Sequence, residues 1–91
     1  MEPSGARVVL YTRQGCHLCG AARALVSEES AKAGASWEEI DVASDPELEL
    51  EHGELVPVVV VDGVRRGFWR IDPERLRRAL TATSPPTPLS Q

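Results

Sequence analysis

The sequence has little of several residue types: two cysteines, one phenylalanine, one tyrosine and one methionine among 91 residues. Two cysteines are too few for the disulfide scaffold of a small secreted domain. No apolar run reaches the eighteen or so residues that a membrane-spanning helix needs. The first residues also lack the basic and then apolar pattern of a secretory signal. We therefore expect a cytoplasmic protein in a reducing environment, with no membrane partner.

Positive charge is also scarce. Ten Lys and Arg residues stand against fourteen Asp and Glu residues, which gives a formal net charge of −4. Because nucleic-acid binding depends on neutralising phosphates, no nucleic-acid partner is expected. The hydrophobic fraction of 42% is typical of a globular domain, and the length suits one core. We expect a monomer with one domain at 7–82, a flexible start at 1–6 and a disordered Pro-rich tail at 83–91.

The spacing of apolar residues predicts seven elements in the order β-α-β-α-β-β-α. The strands are expected at 7–11, 36–42, 55–61 and 64–71. The helices are expected at 16–33, 46–53 and 73–82. Asp62-Gly63 is a strong hairpin signal between the last two strands. Since a helix joins the first two strands, they should be parallel, and the fold class is α/β with a mixed four-stranded sheet flanked by helices.

The chemistry is expected at Cys16-His17-Leu18-Cys19, directly after the first strand. The unpaired amides and positive dipole of a helix start favour a thiolate at Cys16, so its pKa should fall below about 8.5. A histidine at position 17 can carry positive charge beside that thiolate. Cys19 lies deeper in the helix and should attack the mixed disulfide that Cys16 forms with a substrate.

Pro57 follows Val56 within the most apolar predicted strand. Proline inside a central strand would forfeit a hydrogen bond of the sheet. A cis Val56–Pro57 bond at the entrance of this strand would resolve the conflict.

This combination of a strand, a Cys-x-x-Cys pair at a helix start, and a later Val-Pro before a valine-rich hairpin resembles the glutaredoxin branch of the thioredoxin-like superfamily. Residues 10–19 look like the active-site entry of that family, and the resemblance covers roughly residues 7–80. It implies a thioredoxin-like fold and a thiol-disulfide oxidoreductase. Cys16 would be the nucleophile and Cys19 the resolving thiol. Pro57 would be a cis-proline facing the thiols, and the backbone of Val56 would pair with substrate.

The resemblance also implies the partners. These are a disulfide-containing protein or a small thiol, and an electron donor such as glutathione or a thioredoxin reductase-type system, with no cofactor required. The glycine pair with which glutaredoxins hold glutathione is replaced here by residues 68–71. This replacement argues against glutathione binding, so whether glutathione is a co-substrate stays an open question. Arg13 takes the place of a lysine often found in the family's loop. Trp69 and Arg70 are candidates for substrate contact, although packing and protection of the sheet edge are the simpler interpretations.

Two alternatives to the enzyme remain open. One is a noncatalytic thioredoxin-fold module whose cysteines bind metal or an iron-sulfur cluster, across a dimer. Zinc ligation within one chain would have to recruit His17 and His52, and His17 has the wrong spacing for a zinc finger. The other is an interaction domain whose cysteines do no chemistry. His52, among acidic neighbours, is expected to be solvated, and Trp37 is expected to pack against the core.

Overall fold

The elements of the computed structural model, which describes residues 6–81, follow the predicted order and confirm the α/β class. They are β1 (Val8–Thr12), α1 (Cys19–Ala33), β2 (Trp37–Asp41), α2 (Pro46–His52), β3 (Val58–Val61), β4 (Val64–Phe68) and α3 (Pro73–Thr81). A 3₁₀ turn at Val42–Ser44 precedes α2. Apart from Ala6, the segments predicted to be flexible, 1–6 and 83–91, lie outside the described residues. Within residues 6–81, no helix is long and apolar enough to cross a membrane.

The four strands form one mixed sheet in the order β2-β1-β3-β4. As predicted, β1 is parallel to β2, while β3 runs antiparallel to both β1 and β4. Asp62 and Gly63 form the turn of the last hairpin with φ values of 52° and 83°. A two-residue type I′ turn requires two positive φ values, which Asp and Gly tolerate. The hairpin predicted from Asp62-Gly63 is therefore confirmed.

The hydrophobic core lies between one face of the sheet and helices α1 and α3. Alternation along β1 buries Val8 and Leu10 on that face. The core cluster consists of Val8, Leu10, Ala22, Val26, Val59, Val61, Leu76, Ala79 and Leu80. Trp37 packs against this cluster, as the sequence predicted.

Two arginine–carboxylate pairs hold α1 in place. Arg23 donates from Nε and Nη2 to both carboxylate oxygens of Glu39 on β2, each at 2.7 Å. Arg77 on α3 donates in the same way to Glu29 on α1, at 3.1 and 3.2 Å. The hydrogen bonds from arginine favour the charged carboxylates and lower the pKa of Glu39 and of Glu29. These pairs tie α1 to its neighbours on both sides, and α1 carries the second cysteine at its start.

Strands β3 and β4 are shorter than predicted. Strand β3 begins at Val58 rather than at residue 55, because Pro57 has no N–H to donate to the sheet. Strand β4 ends at Phe68 rather than at residue 71, because Trp69 leaves the extended conformation with a φ of 61°. Val56, just before β3, and Phe68, at the end of β4, line the same surface cavity as Cys16.

Candidate active site

Cys16 and Cys19 are joined by a disulfide in the segment that leads from β1 into α1, with their Cα atoms 5.4 Å apart. The prediction that the helix begins at Cys16 is wrong, since α1 begins at Cys19. The backbone N–H of Cys16 instead donates to the carbonyl oxygen of Arg13 at 3.2 Å, which closes a turn before the helix. Cys16 therefore precedes the helix, and Cys19 is its first residue.

The start of α1 leaves its first backbone N–H groups without a partner inside the helix. Leu18 is the N-cap, and its side chain makes no capping hydrogen bond. The first bond of the helix runs from the N–H of Ala22 to the carbonyl oxygen of Leu18, at 3.1 Å. The amides of residues 19–21 precede this bond and carry the positive end of the helix dipole. In a disulfide neither sulfur titrates, so a lowered pKa for the Cys16 thiol stays a prediction.

The two cysteines differ in accessibility. Cys16 is half-buried and lines a surface cavity of 630 Å³. Cys19 is only 3% exposed. A substrate entering the cavity therefore meets residue 16 first.

The cavity brings together most of the residues singled out in the sequence. Its walls include Arg13, Cys16, His17, Val56, Trp69 and Arg70. Leu18, Gly53 and Phe68 also line it, and sequence reasoning missed them as site residues. Leu18 lies at the N-cap of α1 and is partly exposed.

Pro57 itself does not line the cavity, so the expectation that it faces the thiols stays a prediction. The Val56–Pro57 bond is cis, Val56 reaches the cavity, and Pro57 is fully buried. The backbone N–H of Trp69 donates to the carbonyl oxygens of Leu55, at 3.1 Å, and Pro57, at 2.9 Å. The indole Nε1–H of Trp69 donates to the carbonyl oxygen of Glu54 at 3.1 Å. The segment around Pro57 thus holds Trp69 beside the cavity.

Arg13 does not present a free charge to the cavity. Its guanidinium forms an ion pair with Glu49 on α2. Gly53 leaves room for the Arg13 guanidinium at the end of α2, because a Cβ atom at position 53 would lie 2.8 Å from Nη2 of Arg13 and closer still to the carbonyl oxygen of Glu49. Nothing in the sequence could indicate a pairing between Arg13 and Glu49, since the two residues lie 36 positions apart.

His52 is not the solvated residue that its acidic neighbours suggested. It is 8% exposed, and its ring stacks on Tyr11 with a centroid distance of 4.4 Å. Its Nδ1 is buried and has no hydrogen-bond partner among residues 6–81. Burial lowers the pKa of His52, and Arg65 lowers it further, while Glu51 acts in the opposite direction. The fold therefore favours the neutral ring.

We expect the neutral His52 to make stability fall in mild acid. As pH drops below about 6.5, the unfolded chain takes up a proton at His52 before the folded chain does, so the free energy of unfolding decreases. Above about pH 6.5, His52 is neutral in both the folded and the unfolded chain, so its full contribution to the free energy of unfolding is present there. In His52→Phe, which keeps a ring beside Tyr11, urea unfolding should show a shallower loss between about pH 7.5 and 5. Equal slopes in the two proteins would contradict this role of His52.

Comparisons with known proteins show the family of this chain. The family model described as the glutaredoxin-like domain (DUF836) matches residues 7–81. An uncharacterized protein of Mycobacterium tuberculosis and one of Mycobacterium bovis are each 35% identical to this chain. In each case the match covers 91% of this chain and 94% of the relative.

Solved structures show the same fold. A structural-genomics protein from X. campestris is 31% identical, with a TM-score of 0.68 over 85% of this chain and 99% of its own. A glutaredoxin from Brucella melitensis is also 31% identical, with a TM-score of 0.53 over 85% of this chain and 82% of its own. The match over 7–81 includes both cysteines and Pro57. The chain therefore belongs to the glutaredoxin-like domain family (DUF836) of the thioredoxin-like superfamily.

Proposed function

We propose that this protein is a thiol-disulfide oxidoreductase that works through Cys16 and Cys19. The observation that carries the proposal is the unequal setting of the pair. Cys16 opens into a cavity next to a helix start, and Cys19 is buried within disulfide distance of it. A structural disulfide would gain little here, because a cross-link over three residues closes a very short loop.

In the proposed reaction the reduced protein gives two electrons to a substrate disulfide. The Cys16 thiolate bonds to one substrate sulfur, the substrate S–S bond breaks, and the departing substrate thiolate takes up a proton. Cys19 then loses its proton, and its thiolate attacks the sulfur of Cys16. This step forms the Cys16–Cys19 disulfide and releases the second substrate thiol. An external thiol or dithiol must then reduce the pair.

The surrounding groups suit these steps. The N–H groups at the start of α1 stabilise negative charge on Cys16, and a protonated His17 on the same wall would add to this effect. The exposed Arg70 has no carboxylate partner among residues 6–81, so it can contact an anionic group of the substrate. Val56 lies at the cavity, where its backbone can pair with an extended substrate. We propose that no cofactor takes part and that the protein acts as a monomer in the cytoplasm.

The metal-binding alternative has less support. Within the described part of the chain, no group of three or more His, Cys, Asp or Glu side chains could hold a metal ion. A metal or cluster at Cys16 and Cys19 would need further ligands from outside residues 6–81.

Replacing Cys19 with serine tests the proposal. The reduced Cys19→Ser protein should form a lasting mixed disulfide between Cys16 and half of bis(2-hydroxyethyl) disulfide, because the resolving thiol is absent. Intact-mass measurement detects the adduct, and dithiothreitol should remove it. Wild-type protein should pass through the adduct and end as the internal disulfide. If Cys19→Ser forms no adduct, Cys16 is not the nucleophile and the proposal fails.

A further inference from the structure

The exposed apolar side chains are concentrated around the cysteine cavity. Five large hydrophobic residues are exposed in residues 6–81: Leu18, Leu50, Val64, Phe68 and Trp69. Three of them, Leu18 at 37%, Phe68 at 43% and Trp69 at 53%, line the cavity that contains Cys16. We call these three residues the apolar rim. Single exposed apolar residues are ordinary, but a group around one cavity indicates a binding surface.

Hydrogen bonds and a ring–ring contact position the two aromatic residues of the rim. Three hydrogen bonds from Trp69 to carbonyl oxygens of Glu54, Leu55 and Pro57 fix both its backbone and its indole. The ring of Phe68 meets that indole edge to face, with the centroids 5.5 Å apart. A rigid aromatic surface loses little conformational entropy when a ligand packs on it.

The backbone conformation of Trp69 also indicates a functional role for this residue. Its φ of 61° lies in the left-handed region, which is strained for a residue with a large side chain. Glycine would adopt this conformation without strain, and tryptophan contributes nothing to the core cluster at this position. Backbone strain of this kind clusters at active sites and ligand-binding sites.

The charged side chains of the cavity favour a substrate of one charge. Among residues 6–81, two arginines line the cavity and no carboxylate does. Arg13 is already paired with Glu49, whereas Arg70 has no carboxylate partner in the described part of the chain. An acidic group near the substrate cysteine would therefore be attracted, and a basic group repelled.

We infer that the apolar rim and Arg70 select polypeptide disulfides in which the attacked cysteine is flanked by a large apolar side chain and an acidic one. The apolar side chain packs on Leu18, Phe68 and Trp69 while the sulfur reaches Cys16. This inference rests on the proposed function and adds the class of substrate to it. Small polar disulfides would lack the apolar contact and react more slowly.

Peptides that differ at one position test the apolar contact. Each peptide carries one cysteine joined through a disulfide to thionitrobenzoate, with phenylalanine or serine beside the cysteine. Attack by Cys16 on the peptide sulfur breaks that bond and releases the coloured thionitrobenzoate anion. The reduced wild-type protein should react roughly five- to tenfold faster with the phenylalanine peptide, the usual scale of an aromatic contact. Trp69→Gly, in which glycine suits the positive φ, should bring this ratio close to one.

A matched pair of variants controls for general damage. Leu18→Ala, within the rim, should also lower the ratio, whereas Leu50→Ala, outside the cavity, should leave it unchanged.

A second pair of peptides tests the charge preference. The peptide with glutamate next to the cysteine should react faster than the peptide with lysine there, and Arg70→Gln should reduce that preference. Equal wild-type rates with the phenylalanine and serine peptides would overturn the inference while leaving the proposed function standing. A wild-type protein that attacks no peptide would overturn the proposed function itself.

Discussion

Replacing Cys16 with serine is expected to lower the rate of attack on a thionitrobenzoate-labelled peptide to that without protein, a loss of at least about a thousandfold. A serine hydroxyl is not ionised at neutral pH and cannot form the mixed disulfide. Cys19 cannot take over, because it is 3% exposed and does not line the cavity. The release of thionitrobenzoate by the pre-reduced protein measures the effect.

The Cys19→Ser variant separates the role of Cys16 from that of Cys19. Cys19→Ser should keep the rapid first release of thionitrobenzoate, because that step needs only Cys16, and should remain as the mixed disulfide with the peptide instead of forming the internal disulfide. Urea unfolding of the two reduced variants should show that both remain folded. If Cys16→Ser keeps the rapid release and Cys19→Ser loses it, the roles of the two thiols are reversed.

The parts of the site that the sequence predicted depend on local signals. Asp62-Gly63 determines a hairpin through its own backbone preferences, and Pro57 limits β3 because it lacks an N–H. The Cys-x-x-Cys spacing itself places two sulfurs within reach of one another at a helix start. Each signal acts within a few residues, so the sequence is sufficient to identify it.

The parts that sequence reasoning missed depend on contacts between distant residues. His52 has glutamates on both sides in the sequence, yet its ring lies on Tyr11, a strand residue about forty positions earlier. The pairing of Arg13 with Glu49 is also formed between separate elements. The apolar spacing predicts a helix from residue 16, whereas the N–H of Cys16 bonds to the carbonyl oxygen of Arg13 in a turn and α1 begins at Cys19. A hydrophobicity pattern reveals neither the contact partners of His52 and Arg13 nor the turn at Cys16.

The largest effect on stability is expected from Leu10→Ala. Leu10 is completely buried in β1 and belongs to the core cluster beneath α1 and α3. Removing its side chain leaves a cavity that close-packed neighbours cannot fill, at a cost of about 2–5 kcal/mol. A domain of this length has a total stability on the order of 5–15 kcal/mol, so the variant should lose a large part of it.

A leucine in another setting provides the matched control. Leu50 on α2 is 88% exposed, and Leu50→Ala should change the free energy of unfolding by less than about 0.5 kcal/mol. Urea midpoints measured at one pH on both variants would give the comparison. The difference bears on function, because Leu10 packs in the same cluster as Ala22 and Val26 of α1, and α1 begins at Cys19. Equal losses in the two variants would mean that β1 and α1 do not share the core that positions the cysteines.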